Sequence, residues 1–84
     1  MPLFIDHHAK LPQMPPEAAH QMRQRIQSGE RDQFGSKGVN IYMASNGEAW
    51  CLSDAPDAEA VLQTHRASGV PLEAHDIKEV NALA

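Results

Sequence analysis

The stretch Val39-Asn40-Ile41-Tyr42-Met43-Ala44-Ser45-Asn46-Gly47-Glu48-Ala49-Trp50-Cys51-Leu52-Ser53-Asp54 decides the fold. In its first part Val39, Ile41 and Met43 alternate with Asn40 and Tyr42, the period of two that a strand imposes on its side chains. Asn46-Gly47 is a hairpin signal and predicts a type I′ turn, in which both central residues take positive φ. The return strand is predicted over residues 48–54, with Trp50 and Leu52 on one face and Ala49 and Cys51 on the other. A hairpin at the centre of a short chain leaves room for one element pair on each side.

Outward toward the N-terminus, residues 3–8 read as a strand, with Leu3, Ile5 and His7 on one face and Phe4, Asp6 and His8 on the other. Pro12, Pro15 and Pro16 interrupt regular structure, and the Pro pair suits a helix opening. From Glu17 the pattern is helical, with Ala18, Ala19, Met22 and Ile26 near 3.6 spacing. The helix ends at Gly29 or runs on toward Gly35. Toward the C-terminus, Asp57 is placed to cap a second helix carrying Val61, His65 and Ser68 on one stripe, stopped by Gly69. Residues 74–80 read as a last strand, with Ile77 and Val80 its apolar positions.

The order β-α-β-β-α-β is that of an α+β ferredoxin-like sandwich: a four-stranded antiparallel sheet with two helices on one face. The whole chain, residues 1–84, is expected to be one domain. Two helices cover one face of such a sheet, yet the strands carry apolar residues on both: Leu3 and Ile5 against Phe4, Trp50 and Leu52 against Cys51. A homodimer packed sheet to sheet, in the manner of dimeric α+β barrels, would cover the open face.

Composition narrows the partners. Seven basic against eleven acidic residues give a net charge of −4, which speaks against binding a phosphate backbone. The single cysteine, Cys51, cannot form an internal disulfide, as suits a reducing compartment. No secretory leader is visible, and no apolar run approaches the roughly 20 residues that span a bilayer. A cytoplasmic protein without membrane or nucleic-acid partners is expected.

The chemistry-bearing residues are five histidines, Asp6 and Cys51. Asp6-His7-His8 matches the Asp-His-His signature of a class of two-metal phosphoesterases, but the further aspartate motifs that complete such a centre are missing. Asp6 and His8, two apart on a strand, point to the same side. They can ligate a metal together, or the carboxylate can orient the imidazole; the plainer alternative is a polar strand end at a sheet edge. His65, four residues after Val61, lies on the stripe facing the sheet, where a core or boundary histidine is the ordinary occupant. His20 reads as a partly exposed helix residue, and His7 and His75 have no evident partner. Imidazoles suit nickel, zinc and copper, and without a Cys-x-x-Cys pair a structural zinc site is not indicated. Cys51 has no local base to activate it as a nucleophile. Gly35-Ser36-Lys37-Gly38 lacks phosphate-loop spacing.

Several segments together resemble one family. Ile5-Asp6-His7-His8, Ala19-His20, Ala49-Trp50-Cys51-Leu52-Ser53-Asp54-Ala55-Pro56, Ala60-Val61 through Thr64-His65-Arg66, and Ile77-Lys78-Glu79-Val80 are similar, in order and spacing, to motifs of small bacterial ferredoxin-like domains. That group is often labelled nickel-binding and also occurs fused to adenylate/guanylate cyclases. The resemblance implies a homodimer with a transition-metal site, Ni²⁺ in the first place, at His8, His20 and His65, with Asp6 and Cys51 as companions. The chain departs from the pattern at Arg23, where an acidic residue is usual, and at Ser68-Gly69, where a second histidine is usual. An imidazole must be neutral to ligate, so affinity is expected to fall as pH drops through about 6.5. The alternatives are a small-ligand or protein-interaction module with a pocket between paired sheets, and an enzyme of the barrel monooxygenase or isomerase kind built on Asp6, His8 or Cys51.

Overall fold

The computed structural model describes residues 1–11 and 13–83. Pro12, expected to interrupt regular structure, lies outside them. The elements are β1 (Leu3–His8), α1 (Pro16–Ser28), β2 (Lys37–Met43), β3 (Ala49–Asp54), α2 (Ala58–Ala67), a one-turn 3-10 helix (Ala74–Asp76) and β4 (Ile77–Val80). The sheet order is β2-β3-β1-β4, and every neighbouring pair is antiparallel. The α+β, ferredoxin-like layout read from the sequence is therefore the observed one. Among the described residues, no helix is long and apolar enough to cross a membrane.

The hairpin differs from expectation in its turn. Asn46 does not take positive φ; Gly47 alone does, at 96°. The Gly47 amide donates to the Ala44 carbonyl, and the Ala44 amide donates to the Glu48 carbonyl. The loop is thus an ordinary turn through Ser45 and Asn46 followed by a left-handed glycine, the G1-bulge solution, and not the tighter type I′ turn. Asn46 serves through its side chain, which accepts from the Glu48 amide and donates to the Glu48 carboxylate. That bond, with His7 beside it, holds the Glu48 carboxyl below its usual range.

Two strands also depart from simple alternation. In β2, Gly38 pairs with Ser53 and Asn40 with Leu52, so Val39 is the extra residue of a bulge. A Cβ on Gly38 would stand 3.3 Å from Ile26, so α1 approaches the sheet closely at this glycine. Residues 74–76 form the 3-10 turn instead of the start of β4. Glu73 and Asp76 cap each other across it, a local solution the strand reading did not anticipate.

The two helices are unequal. α2 is capped by Asp57, whose carboxylate accepts from the Ala60 amide at 2.8 Å. It closes in a Schellman arrangement, the Gly69 and Val70 amides donating to the Arg66 and His65 carbonyls. It buries Ala60, Val61 and Leu62, which with Phe4, Ala55 and Leu72 form the core, flanked by Phe34 and Ile77. α1 ends at Gly29, which settles the open boundary, and buries no side chain at all. On the opposite sheet face Leu3, Ile5, Trp50, Leu52 and Val80 are half-buried, and Tyr42 is 50% exposed.

This asymmetry predicts unequal mutational costs. Leu62→Ala should lose roughly 2–5 kcal/mol in urea unfolding, as for a deleted core leucine. Met22→Ala on α1 should stay within about 0.5 kcal/mol, as for an exposed position.

Candidate metal centre

Asp6 and Cys51 are direct cross-strand partners in the β1–β3 ladder. Paired residues of an antiparallel ladder share a face, with Cβ atoms about 5 Å apart. His8 follows two residues along β1 on the same side. β1 is an inner strand, so Asp6 and His8 do not form a polar strand end at a sheet edge, the plainer of the readings open from sequence. α2 crosses this face, and its Val61–His65 stripe brings His65 onto the same point.

The four side chains each offer one ligand atom, and these atoms all lie within 4.8 Å of one another. Asp6 Oδ1 is 2.6 Å from His8 Nε2 and 3.4 Å from His65 Nε2. Cys51 Sγ is 3.6 Å from His8 Nε2. The two imidazoles stack with centroids 5.3 Å apart and planes at 29°. Asp6 is 1% exposed and His8 6%, whereas Cys51 and His65 are half-buried.

Neither carboxylate oxygen of Asp6 has a hydrogen-bond partner among the described residues. The 2.6 Å and 3.4 Å approaches of the imidazoles are close contacts of charge without the direction of a hydrogen bond. The four donor atoms lie close enough together for one ion to replace their mutual contacts. His65 is further prepared: its Nδ1 donates to the Val61 carbonyl at 2.8 Å, which fixes the ring and leaves Nε2 facing the cluster. Two imidazoles, a thiolate and a carboxylate form a mixed nitrogen, sulfur and oxygen set suited to nickel, zinc, cobalt or copper.

The other histidines fall elsewhere. His20 is exposed on α1 and does not join the group. His7 has a partner after all, its Nε2 lying 2.8 Å from Glu48 on the open sheet face, with its ring 5.3 Å from that of Trp50. His75 is exposed beside Asp76.

A cavity of about 150 Å³ opens over His8, Cys51 and His65, between α1, α2 and the helix face of the sheet. This cavity lies within one chain, on the face of the sheet that the helices cover. Its upper wall includes Asp32, which the sequence reading passed over. Burial tends to raise the Asp32 carboxyl, but the Thr64 hydroxyl and the Ser36 and Phe34 amides outweigh it and hold it below the usual range.

No family model and no curated protein matches this chain. Among solved structures it is similar to SCO4226 from Streptomyces coelicolor A3(2), at 28% identity and a TM-score of 0.69. The likeness covers 98% of this chain and 99% of the other, so it extends over the whole fold.

In the metal-free protein, burial opposes a charge on His65. The Asp6 carboxylate, the Cys51 sulfur and the Val61 carbonyl prevail over it and push its pKa up to about 10. The expectation based on an ordinary imidazole near 6.5 therefore shifts upward for this residue. A raised folded pKa gives stability that is fully present below the unfolded value and lost as pH rises through the folded one. Unfolding free energy of the metal-free protein should thus decline between pH 6.5 and about 10. Urea titrations across that window test this, and His65→Gln should flatten the slope.

Proposed function

We propose that this protein is a non-catalytic binding domain for a divalent transition metal, held by His8 and His65 with Asp6 and Cys51 completing the set. The observation that carries this reading is the convergence of the four donor atoms within 4.8 Å around a buried carboxylate. A carboxylate at 1% exposure is costly unless a positive charge neutralises it, and a divalent ion does so directly. Four protein donors would satisfy a tetrahedral ion without an open position, which favours binding over catalysis. Nickel is preferred on the sequence resemblance alone; the donor set by itself accommodates zinc or cobalt as well.

Ligation requires His65 Nε2 to give up its proton and Cys51 its thiol proton, so binding should release protons. Calorimetric titration of the metal-free protein with Ni²⁺ and with Zn²⁺ should show a single site per chain at micromolar or tighter affinity. His8→Ala and His65→Ala should each weaken it about a hundredfold or more, since even outer-shell changes cost ten- to a hundredfold. His20→Ala should leave it unchanged. Affinity no better than millimolar, or affinity equal in wild type and both site variants, would sink the metal reading.

The same reading makes the molecule a homodimer. Its support is the half-buried row of Leu3, Ile5, Trp50, Leu52 and Val80 with Tyr42 beside it, an apolar sheet face that no helix covers. Sedimentation should give twice the chain mass, and Trp50→Glu, which sets a charge in the middle of that face, should give the single-chain mass. A wild-type protein sedimenting as one chain would remove the dimer and leave the metal site standing.

A further inference from the structure

The donor cluster is closed on one side and open on another. Asp6, 1% exposed, takes no part in the cavity wall, whereas His8, Cys51 and His65 all line it. Three of the four donors therefore face a space of about 150 Å³ that the fourth does not reach. A tetrahedral ion of this kind expands to five ligands where a further donor can approach it. The cavity gives such a donor its approach.

The whole wall says what kind of donor. Its apolar part includes Met14, Ile26, Ile41 and Leu52, all half-buried. α1 supplies Ile26 and the exposed Met22 and buries none of its side chains, so the space is not filled from the helix side. Of the polar members, Arg25, Glu30, Asn40 and Ser68 are exposed, and Asp32 and Thr64 bond to each other. Arg25 is near enough to Asp32 to help hold its carboxyl low, and Glu30 adds a second negative charge, so the wall has no surplus positive charge for an anion. The cluster has none either, because Asp6 and a Cys51 thiolate already balance a divalent ion. The added ligand is then neutral. An aliphatic amine is protonated near neutral pH, but the nitrogen of an imidazole-type ring is largely free. A cavity of about 150 Å³ takes up one aromatic ring and is too small for a drug-sized molecule.

We propose that the metal-loaded site takes a fifth, external ligand from this cavity: a neutral, single-ring nitrogen heterocycle of the imidazole class. This inference rests on the metal reading above. The ring nitrogen gives its lone pair to the ion, no proton is lost and no protein donor leaves, and the ring packs against Ile26 and Ile41.

The test uses the full-length protein loaded with Co²⁺ and read by its visible spectrum at about pH 8, where an imidazole is mostly neutral. Imidazole should change the cobalt bands saturably at millimolar concentration or below, with cobalt retained after desalting and the thiolate-to-cobalt absorption kept. Pyrrole, a ring of the same size whose nitrogen has no free lone pair, should leave the bands unchanged. Azide, an anion, should bind at least about tenfold more weakly than imidazole. Met22→Trp, at a position 37% exposed and therefore tolerant of a larger side chain, should fill the space. It should weaken imidazole by about tenfold or more while leaving the Co²⁺ affinity within about threefold. Cobalt that does not bind removes the metal reading and this proposal with it. Cobalt that binds but ignores imidazole, or is stripped by it, overturns this proposal alone. So does an equal response to pyrrole, a preference for azide, or undiminished imidazole binding in Met22→Trp.

Discussion

The carboxylate of Asp6 sits on an inner strand, under a helix, with almost no access to water. An isolated ion in such a place costs many kcal/mol, so its neighbours must either neutralise it or let it take a proton. Here the neighbours are two imidazoles and a thiol brought in from two other segments of chain and from β1 itself. The raised pKa of His65 is the response of the metal-free protein: the ring keeps its proton because the carboxylate needs the charge. A divalent ion would supply the same compensation more strongly and would displace that proton. The site is therefore held in tension between two ways of meeting one electrostatic demand.

The two helices differ in how they meet the sheet. α2 is capped at both ends and driven onto the sheet by Val61 and Leu62, and its rigidity is what sets His65 within reach of Asp6. The loop ahead of β2 is pinned to the same helix through Asp32 and Thr64. α1 has no comparable apolar anchor; it meets the sheet through Ile26 over the gap left by Gly38, and elsewhere stands away from it. The space beneath it is the cavity. A well-packed half and an underfilled half share one sheet, and the donor cluster lies at their boundary.

Much of this was legible in the residues. Strict alternation in residues 3–8 placed Asp6 and His8 on one face, because the strand period is two whatever the fold. Asp57 and Gly69 marked the ends of α2 through chemistry local to each position. Local competition is also where the reading failed. Asn46-Gly47 suits a type I′ turn, but the Asn46 side chain bonds to Glu48 and only Gly47 takes positive φ. Glu73 and Asp76 close a 3-10 turn on each other, which removes three residues from β4. The residues alone gave His20 as a partly exposed helix position, and only the family resemblance set it beside His8 and His65; the structure leaves it exposed on α1, which buries none of its side chains against the sheet.

The sequence by itself determined the order of elements, the face on which each strand residue lies, and the donor types available, because these follow from side-chain period and turn chemistry within a few residues. Only the tertiary structure decided that Asp6 faces Cys51 across a ladder, and that His65 completes their group while His20 does not. Those outcomes depend on strand register and on how closely each helix packs. Both are set by distant parts of the chain meeting, and no local spacing carries them.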